Sequence, residues 1–428
     1  MEIFERLESE VRGYCRSFPT VFRRARGARL TDVDGRDFVD FFSGAGALNY
    51  GHNDPTLKRS LLDYLAEDGV VHSLDMATTA KADFLEVLES IVLVPRGLDY
   101  RVQFPGPTGT NAVEAALKLA RKVTGRETIV SFTNAFHGMT LGSLAITGNS
   151  FKRRGAGVPL TLGDTMPFDG YLGADVDTLD YFEALIVDDG SGVDKPAAVI
   201  LETVQAEGGI NVAGVDWLRR LERICRDHGI LMIVDDIQVG CGRTGPFFSF
   251  ERAGIAPDLV CLSKSLSGYG LPLAILLLRP DLDLWEPGEH NGTFRGHNPA
   301  FVTARAALEQ YWADDSLSRR VRAIGEAVQL RLQAVVENSP GLGAQVRGLG
   351  LIQGIAFAEP AIARDICRRA FESGLIMETA GPEGNVAKVM PPLTIDEVTL
   401  KEGLEILEAS IRTVSSQARP VEPAEAQS

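Results

Sequence analysis

Cysteine is scarce. Five thiols in 428 residues, Cys15, Cys225, Cys241, Cys261 and Cys367, are odd in number and scattered, without the spacing of a metal or redox motif. That excludes a disulfide framework and makes the thiols reduced core residues, as expected of a cytoplasmic protein. Long apolar runs are missing too: no stretch reaches the roughly 18 uninterrupted apolar residues that a membrane-crossing helix needs. The opening MEIFERLESEVRGY carries charge throughout, unlike a secretory leader. Positive charge is in deficit, with 43 basic against 58 acidic residues and a net charge of −15, so no nucleic-acid or anionic-membrane partner is expected. Repeats, low-complexity blocks and basic appendages are absent from the body of the chain. Only residues 415–428, SSQARPVEPAEAQS, have the composition of a disordered tail.

What remains is 45% hydrophobic and 24% charged, an ordinary globular composition. Length suggests two or three domains, and two is the better expectation because doubly wound domains run large. The stretch around which the chain is organised is 230–264, ILMIVDDIQVGCGRTGPFFSFERAGIAPDLVCLSK. Apolar runs Ile230–Val234 and Leu259–Leu262 end in Asp235-Asp236 and Ser263-Lys264, as parallel strands buried on both faces do. Ligands of open α/β sheets sit beyond the carboxyl ends of such strands. An acid that can face a ring nitrogen and an amine that can form a Schiff base would meet there, as pyridoxal phosphate chemistry requires. Alone, either residue is more often a turn former or a solvated strand end; the case rests on the other segments that converge on the same edge.

In chain order, Ile3, Leu7 and Val11 share a face of a helix predicted over 2–13. Asp34-Gly35 between alternating runs predicts a hairpin whose two central residues take φ > 0. Helices are predicted at 56–67 and 77–92. FPGPTGTNAVEAALKLARKVTG then carries a strand end into a helix, with Asn111 as cap, Glu114 three residues on and Gly125 as the stop. Its glycine-threonine turn, Gly109-Thr110, presents a helix N-terminus to an anion, although an ordinary capped helix reads the same way. Strand 128–132 leads into Phe136 and His137, and strand 197–201 into Glu202 and Glu207. Asp216 is expected to cap the following helix. Gly240, Gly242 and Gly245 spell a dinucleotide fingerprint, but Pro246 and the phenylalanines after it give no helical pattern, so nicotinamide binding is rejected. Beyond Lys264 come a strand, a loop with Thr293, helices at 300–312 and 317–336, a kinked strand VRGLGLIQGIAF, helix 360–373, strand NVAKVM and a last helix at 396–414.

The motifs TGTNAVEAALKLAR, FHG, ILETVQAEGG, IVDDIQVGCGRTG, LSKSLSGYGLP, HNGTFRGHNP and MPPLTI occur in the order found in class III PLP-dependent aminotransferases. The chain resembles that family to about residue 414. The resemblance implies an α/β fold of fold type I, with a mostly parallel central sheet in a large PLP-binding domain, residues 45–300. A smaller α+β domain would be built from both chain ends, 1–44 and 301–414. It implies that Lys264 bonds the cofactor and moves the proton, Asp235 pairs with the pyridine nitrogen, Gln238 reaches the ring hydroxyl, and Phe136 stacks on the ring beside His137. Gly109, Thr110 and Asn111 would hold the phosphate, and Thr293 would reach the partner's cofactor in a homodimer or larger homo-oligomer. Strand alternation leaves the choice between Asp235 and Asp236 open; the resemblance alone favours Asp235.

Within the family, YCRSFPTVF and GAGALNYGHNDP resemble the branch that passes the amino group of L-glutamate to L-aspartate 4-semialdehyde in ectoine synthesis. Other ω-aminotransferases, acting on ornithine, 4-aminobutyrate or diaminobutyrate of another pathway, are the nearest alternative, with an aminomutase or decarboxylase third. Many relatives carry an arginine where Lys388 stands, partnered by the glutamate matching Glu207. Lysine keeps the charge and loses the bidentate fork, which leaves the anchor of the substrate α-carboxylate open. Glu207 and Lys388 are expected to form an ion pair that opens for glutamate and closes for the semialdehyde or diaminobutyrate.

Overall fold

The alternating segments flanking Asp34-Gly35 form strands β1 (Phe22–Arg26), β2 (Arg29–Asp32) and β3 (Asp37–Asp40), paired antiparallel in sequence. The hairpin is as expected, but its turn is not. Only Gly35 takes a left-handed φ, +82°, and Asp32 closes a four-residue loop by accepting from the backbone N–H of Asp34 at 3.0 Å and of Arg36 at 2.9 Å. This is a computed structural model, and it describes residues 2–417. Of the helix predicted over 2–13 only Glu2–Leu7 forms, and a separate turn of helix, Tyr14–Ser17, follows beyond it. The apolar stripe of the predicted helix is poorly covered, with Ile3 48%, Leu7 68% and Val11 88% exposed, so a marginal helix lacks the tertiary support it needs.

Helices Pro55–Ala66 and Thr79–Val87 follow, the second running on through a π-helical turn, Leu88–Leu93. The central sheet takes β4 (Arg101–Gln103), β5 (Ile129–Phe132), β6 (Gly163–Met166) and β7 (Ala198–Leu201). After a small hairpin of β8 (Val204–Gln205) and β9 (Asn211–Val212), it adds β10 (Leu231–Asp235), β11 (Leu259–Leu262) and β12 (Ile275–Leu278). The order is β4-β12-β11-β10-β7-β5-β6, with β5, β6, β7, β10 and β11 parallel and β12 antiparallel to both neighbours. Every residue of β5, β7, β11 and β12 is buried, which is why their sequences run apolar without alternation. Helix Gly109–Thr124 lays Ala112, Ala115, Ala116 and Leu119 on one face of this sheet, and helix Val215–Asp227 packs Leu218, Leu221 and Ile224 into the core of the other.

Two caps differ from expectation. Thr108, not Asn111, is the N-cap of the first helix, and Asn111 at the third position turns its Oδ1 back to accept from Thr108 N at 3.2 Å and Thr108 Oγ1 at 2.8 Å. Gly214 rather than Asp216 precedes the second, and the Asp216 side chain is exposed. Residues 236–248 contain no helix, and Gly242 is required for packing: a Cβ there would meet the Trp312 ring at 2.6 Å.

The segment expected as one kinked strand is the hairpin β13 (Gln345–Leu349) and β14 (Ile352–Ala356). Gly350 turns it at φ +60°, with the Arg243 carbonyl 2.6 Å from where a Cβ would lie. Then come β15 (Leu375–Ile376), β16 (Glu378–Ala380) and β17 (Val386–Val389). β16 and β17 complete the sheet β13-β14-β17-β16, while β15 crosses to pair in parallel with β3. The final helix, Glu397–Gln417, includes residues 415–417, which the sequence reading had put in a disordered tail; the rest of that tail lies outside the described residues. Among the described residues no helix is long and apolar enough to cross a membrane.

Candidate active site

Five strands of the central sheet deliver polar or aromatic groups to its carboxyl edge, where Gly109, Thr110, Phe136, His137, Glu202, Asp235, Gln238 and Lys264 line one cavity. Asp235 ends β10 and points into it. Its Oδ2 lies 2.8 Å from His137 Nδ1, and its Oδ1 accepts from Ile237 N at 3.2 Å. A carboxylate can only accept, so the ring proton of His137 sits on Nδ1 and fixes the acid's orientation. His137 Nε2 is buried without a protein partner.

Asp236 faces the other way, as the next residue of a strand must. Its Oδ2 accepts from Ser249 N at 3.0 Å, its Oδ1 is buried and unpaired, and burial pushes its carboxyl up to about 7. Of the two acids that strand alternation left open, only Asp235 lines the cavity.

Lys264 follows β11 in a left-handed conformation, φ +48°, which costs a non-glycine residue about 1–2 kcal/mol. Flanking bonds hold it there. Ser263 Oγ donates to Leu273 O at 2.7 Å and Ser265 Oγ to Gly46 O at 2.6 Å. Burial lowers the Lys264 ammonium's pKa, which favours the free amine, against the opposing pull of Glu207.

Glu202 was legible only as a strand end. It is buried, accepts from Phe136 N at 3.0 Å, and its carboxyl is pushed well up by burial and by the charge of Asp235. The rule that singled out Asp235, an acid ending a buried parallel strand, would have found it. Thr110 Oγ1 is 2.6 Å from Thr140 Oγ1, and a Cβ on Gly138 would lie 2.5 Å from the same oxygen, so the turn is closed tightly around the first helical N–H groups. Asn111 spends its side-chain oxygen on Thr108 and does not line the cavity.

Beside the cavity lies a buried ionic cluster. Lys388 Nζ, on β17, is 2.7 Å from Glu207 Oε1 and also 2.7 Å from Glu378 Oε1. Glu378 faces Lys388 across the β16–β17 ladder, a register that the sequence does not reveal. Against the cost of burial, the two carboxylates raise the Lys388 pKa, and Lys388 and Lys264 pull Glu207 down, whereas burial outweighs Lys388 at Glu378 and raises it. Gln238 Nε2 donates to Glu207 Oε1 at 3.1 Å and to Ala45 O at 2.7 Å, tying this cluster to the cavity wall. Thr293 is elsewhere. It is exposed, its carbonyl accepts from His72 Nε2 at 2.7 Å, and the apolar Val70, Val71, Leu74, Met76 and Phe294 stand exposed on the neighbouring chain.

The cavity's groups suit a planar, phosphorylated pyridine aldehyde: a carboxylate for a ring nitrogen, an amine for an aldehyde, an aromatic wall, and helix N–H groups for an anion. The unpartnered His137 Nε2 is a donor or acceptor still to be satisfied.

Residues 13–411 match the family described as Aminotransferase class-III. The chain is 61% identical over 412 residues to a diaminobutyrate--2-oxoglutarate transaminase of Streptomyces anulatus, covering 96% of this chain and 98% of the relative. Its identity to that of Halomonas elongata is 58% over 418 residues, covering 97% and 99%. In three dimensions it resembles an ornithine aminotransferase of Toxoplasma gondii, with TM-score 0.83, 24% identity and coverage of 97% and 95%. A transaminase of the marine bacterium Virgibacillus gives TM-score 0.85 at 21% identity, covering 97% and 99%.

Proposed function

The chain belongs to the class-III aminotransferases, pyridoxal 5′-phosphate-dependent enzymes of fold type I, and from that premise we propose that it moves the amino group of L-glutamate to L-aspartate 4-semialdehyde. The products are L-2,4-diaminobutyrate and 2-oxoglutarate, and the reaction opens ectoine synthesis in the cytoplasm. What carries this reading is the near-full-length likeness to diaminobutyrate--2-oxoglutarate transaminases.

Bound in the cavity, the cofactor supplies an aldehyde that exchanges with amino groups and a ring that takes up the electrons released when the substrate carbon loses its proton. Lys264 Nζ takes that proton and returns it one carbon away. Its burial, which favours the neutral amine, suits it to act as a base. Asp235, oriented by His137, would keep a proton on the ring nitrogen. Phe136, its backbone pinned by Glu202, would pack on the ring face. Gln238 would reach the ring hydroxyl, and the backbone N–H groups of Gly109 and Thr110 would hold the phosphate, whereas the Asn111 N–H is spent on the Thr108 carbonyl at 3.0 Å. Thr293 reaches the phosphate of a partner subunit; the exposed apolar residues around it are a surface that a homodimer would cover. The cofactor belongs to a large domain of residues 45–300, and both chain ends make up the small one.

The test is the visible spectrum of the purified holoenzyme. L-Glutamate should bleach the yellow form, and L-aspartate 4-semialdehyde should restore it faster than glutamate 5-semialdehyde or succinate semialdehyde. A preference for either of the latter would assign a different ω-amine.

A further inference from the structure

Past Phe136 the cofactor cavity gives way to a second hollow of 290 Å³, walled by Phe136, Glu207, Lys152 and the end of β16 with the turn after it, residues 379–384. Phe136 borders both spaces. Lys152 belongs to the short helix Ser150–Arg154 and holds its ammonium 4.0 Å from the centroid of the Phe136 ring. The cations near this site differ in what balances them. Lys388 is clasped by Glu207 and Glu378, whereas Lys152 rests on an aromatic face and, among the described residues, pairs with no carboxylate.

The substrates supply the other half of the argument. In glutamate the reacting carbon is C2, and the distant carboxylate, C5, is three bonds away. In diaminobutyrate the reacting carbon is C4, and the distant carboxylate, C1, is also three bonds away. 2-Oxoglutarate and aspartate semialdehyde keep the same spacing. With the reacting carbon fixed over the cofactor, all four molecules therefore need a cation at one common distance. They differ elsewhere: only glutamate and 2-oxoglutarate carry a second carboxylate on the reacting carbon itself.

We propose that the hollow behind Phe136 is the subsite for this distant carboxylate and that Lys152 is its cation, a specificity-determining residue serving both half-reactions. The assignment rests on the reaction proposed above. Phe136 keeps the ammonium from wandering, since a cation held over an aromatic ring by the ring's quadrupole retains its charge for an incoming anion. The Glu207–Lys388–Glu378 cluster is left to handle the feature that distinguishes the substrates, the carboxylate on the reacting carbon.

The experiment compares holoenzyme carrying Lys152→Met and Lys152→Arg with the wild type, in single-turnover half-reactions with L-glutamate and L-2,4-diaminobutyrate. Cofactor absorbance and Tm monitor the fold. Loss of a charge-assisted contact predicts about a 10- to 100-fold fall in kcat/KM for both amino acids in Lys152→Met, largely restored in Lys152→Arg. With 1,3-diaminopropane, which is diaminobutyrate without its carboxylate, the Lys152→Met and wild-type rates should coincide. Unchanged rates with the amino acids, or equal losses in both variants, would overturn the assignment. A wild type that reacts with glutamate and not with diaminobutyrate would sink the proposed reaction instead, and the glutamate arm would still decide Lys152.

Discussion

Asp235 and Asp236 are neighbours in sequence and opposites in environment, and the difference is measurable. Asp235→Asn cannot hold a proton on the ring nitrogen, so turnover should fall by orders of magnitude with Tm nearly unchanged. Asp236→Asn should keep most activity and change the pH dependence of stability. Burial holds the Asp236 carboxyl at about 7, above its ordinary value of 3.8. Between those values the native state holds the extra proton, so this acid's contribution is intact below about pH 4 and is lost as pH rises through 7. The Tm of the wild type should therefore drop relative to Asp236→Asn between pH 5.5 and 8. Lys264→Ala should abolish turnover, and borohydride reduction of the wild-type holoenzyme should label Lys264 and no other lysine. Lys388→Ala should slow the glutamate half-reaction about 10- to 100-fold and the diaminobutyrate half-reaction much less, because only glutamate places a carboxylate beside the cluster. Equal losses with a lower Tm would leave Lys388 a structural tie. At this scale the sequence was readable wherever a group ends a strand, as Asp235 and Lys264 do. It was silent where a partner is set by register, as Glu378 is for Lys388, or by a short helix folding back, as Lys152 is over Phe136.

Among the elements, the buried strands were legible because two-sided burial leaves an apolar run that few other structures produce. Caps were less so. Thr108 and Asn111 are both good N-cap residues three positions apart, and the choice was settled by where β4 releases the chain. The hairpin β13–β14 reads in sequence as one strand because Gly348 and Gly350 signal a kink and a reversal equally well. Glycine also misleads within helices. Gly403 lies inside the last helix, where alanine is normally better by about 1 kcal/mol. Here a Cβ would lie 2.4 Å from Cζ of Phe41, which is 1% exposed and next to β3. Gly403→Ala should therefore destabilise by about 1–3 kcal/mol through overpacking, seen as a lower denaturant midpoint at constant m-value. A stabilised variant would mean that the helix can shift away from the sheet.

At the scale of the molecule, Val70, Val71, Leu74, Met76 and Phe294 stand exposed, and the homodimer proposed above would cover them. Phe294→Asp should yield monomers by sedimentation and, if Thr293 serves a partner's cofactor, weaken cofactor retention as well. The pairing of β15 with β3 bears on how the protein is made. Phe38, Val39 and Phe41 leave the ribosome early, yet the strand that covers the open edge of β3, Leu375–Ile376, arrives roughly three hundred residues later. At bacterial or eukaryotic elongation rates of about 5–20 residues per second, the first sheet waits on the order of tens of seconds with one edge unpaired. An unpaired edge is a template for any other chain within reach, so the N-terminal 40 residues are where a nascent chain should recruit a chaperone, and a rare-codon pause before residue 375 should cost soluble yield more than the same pause after it.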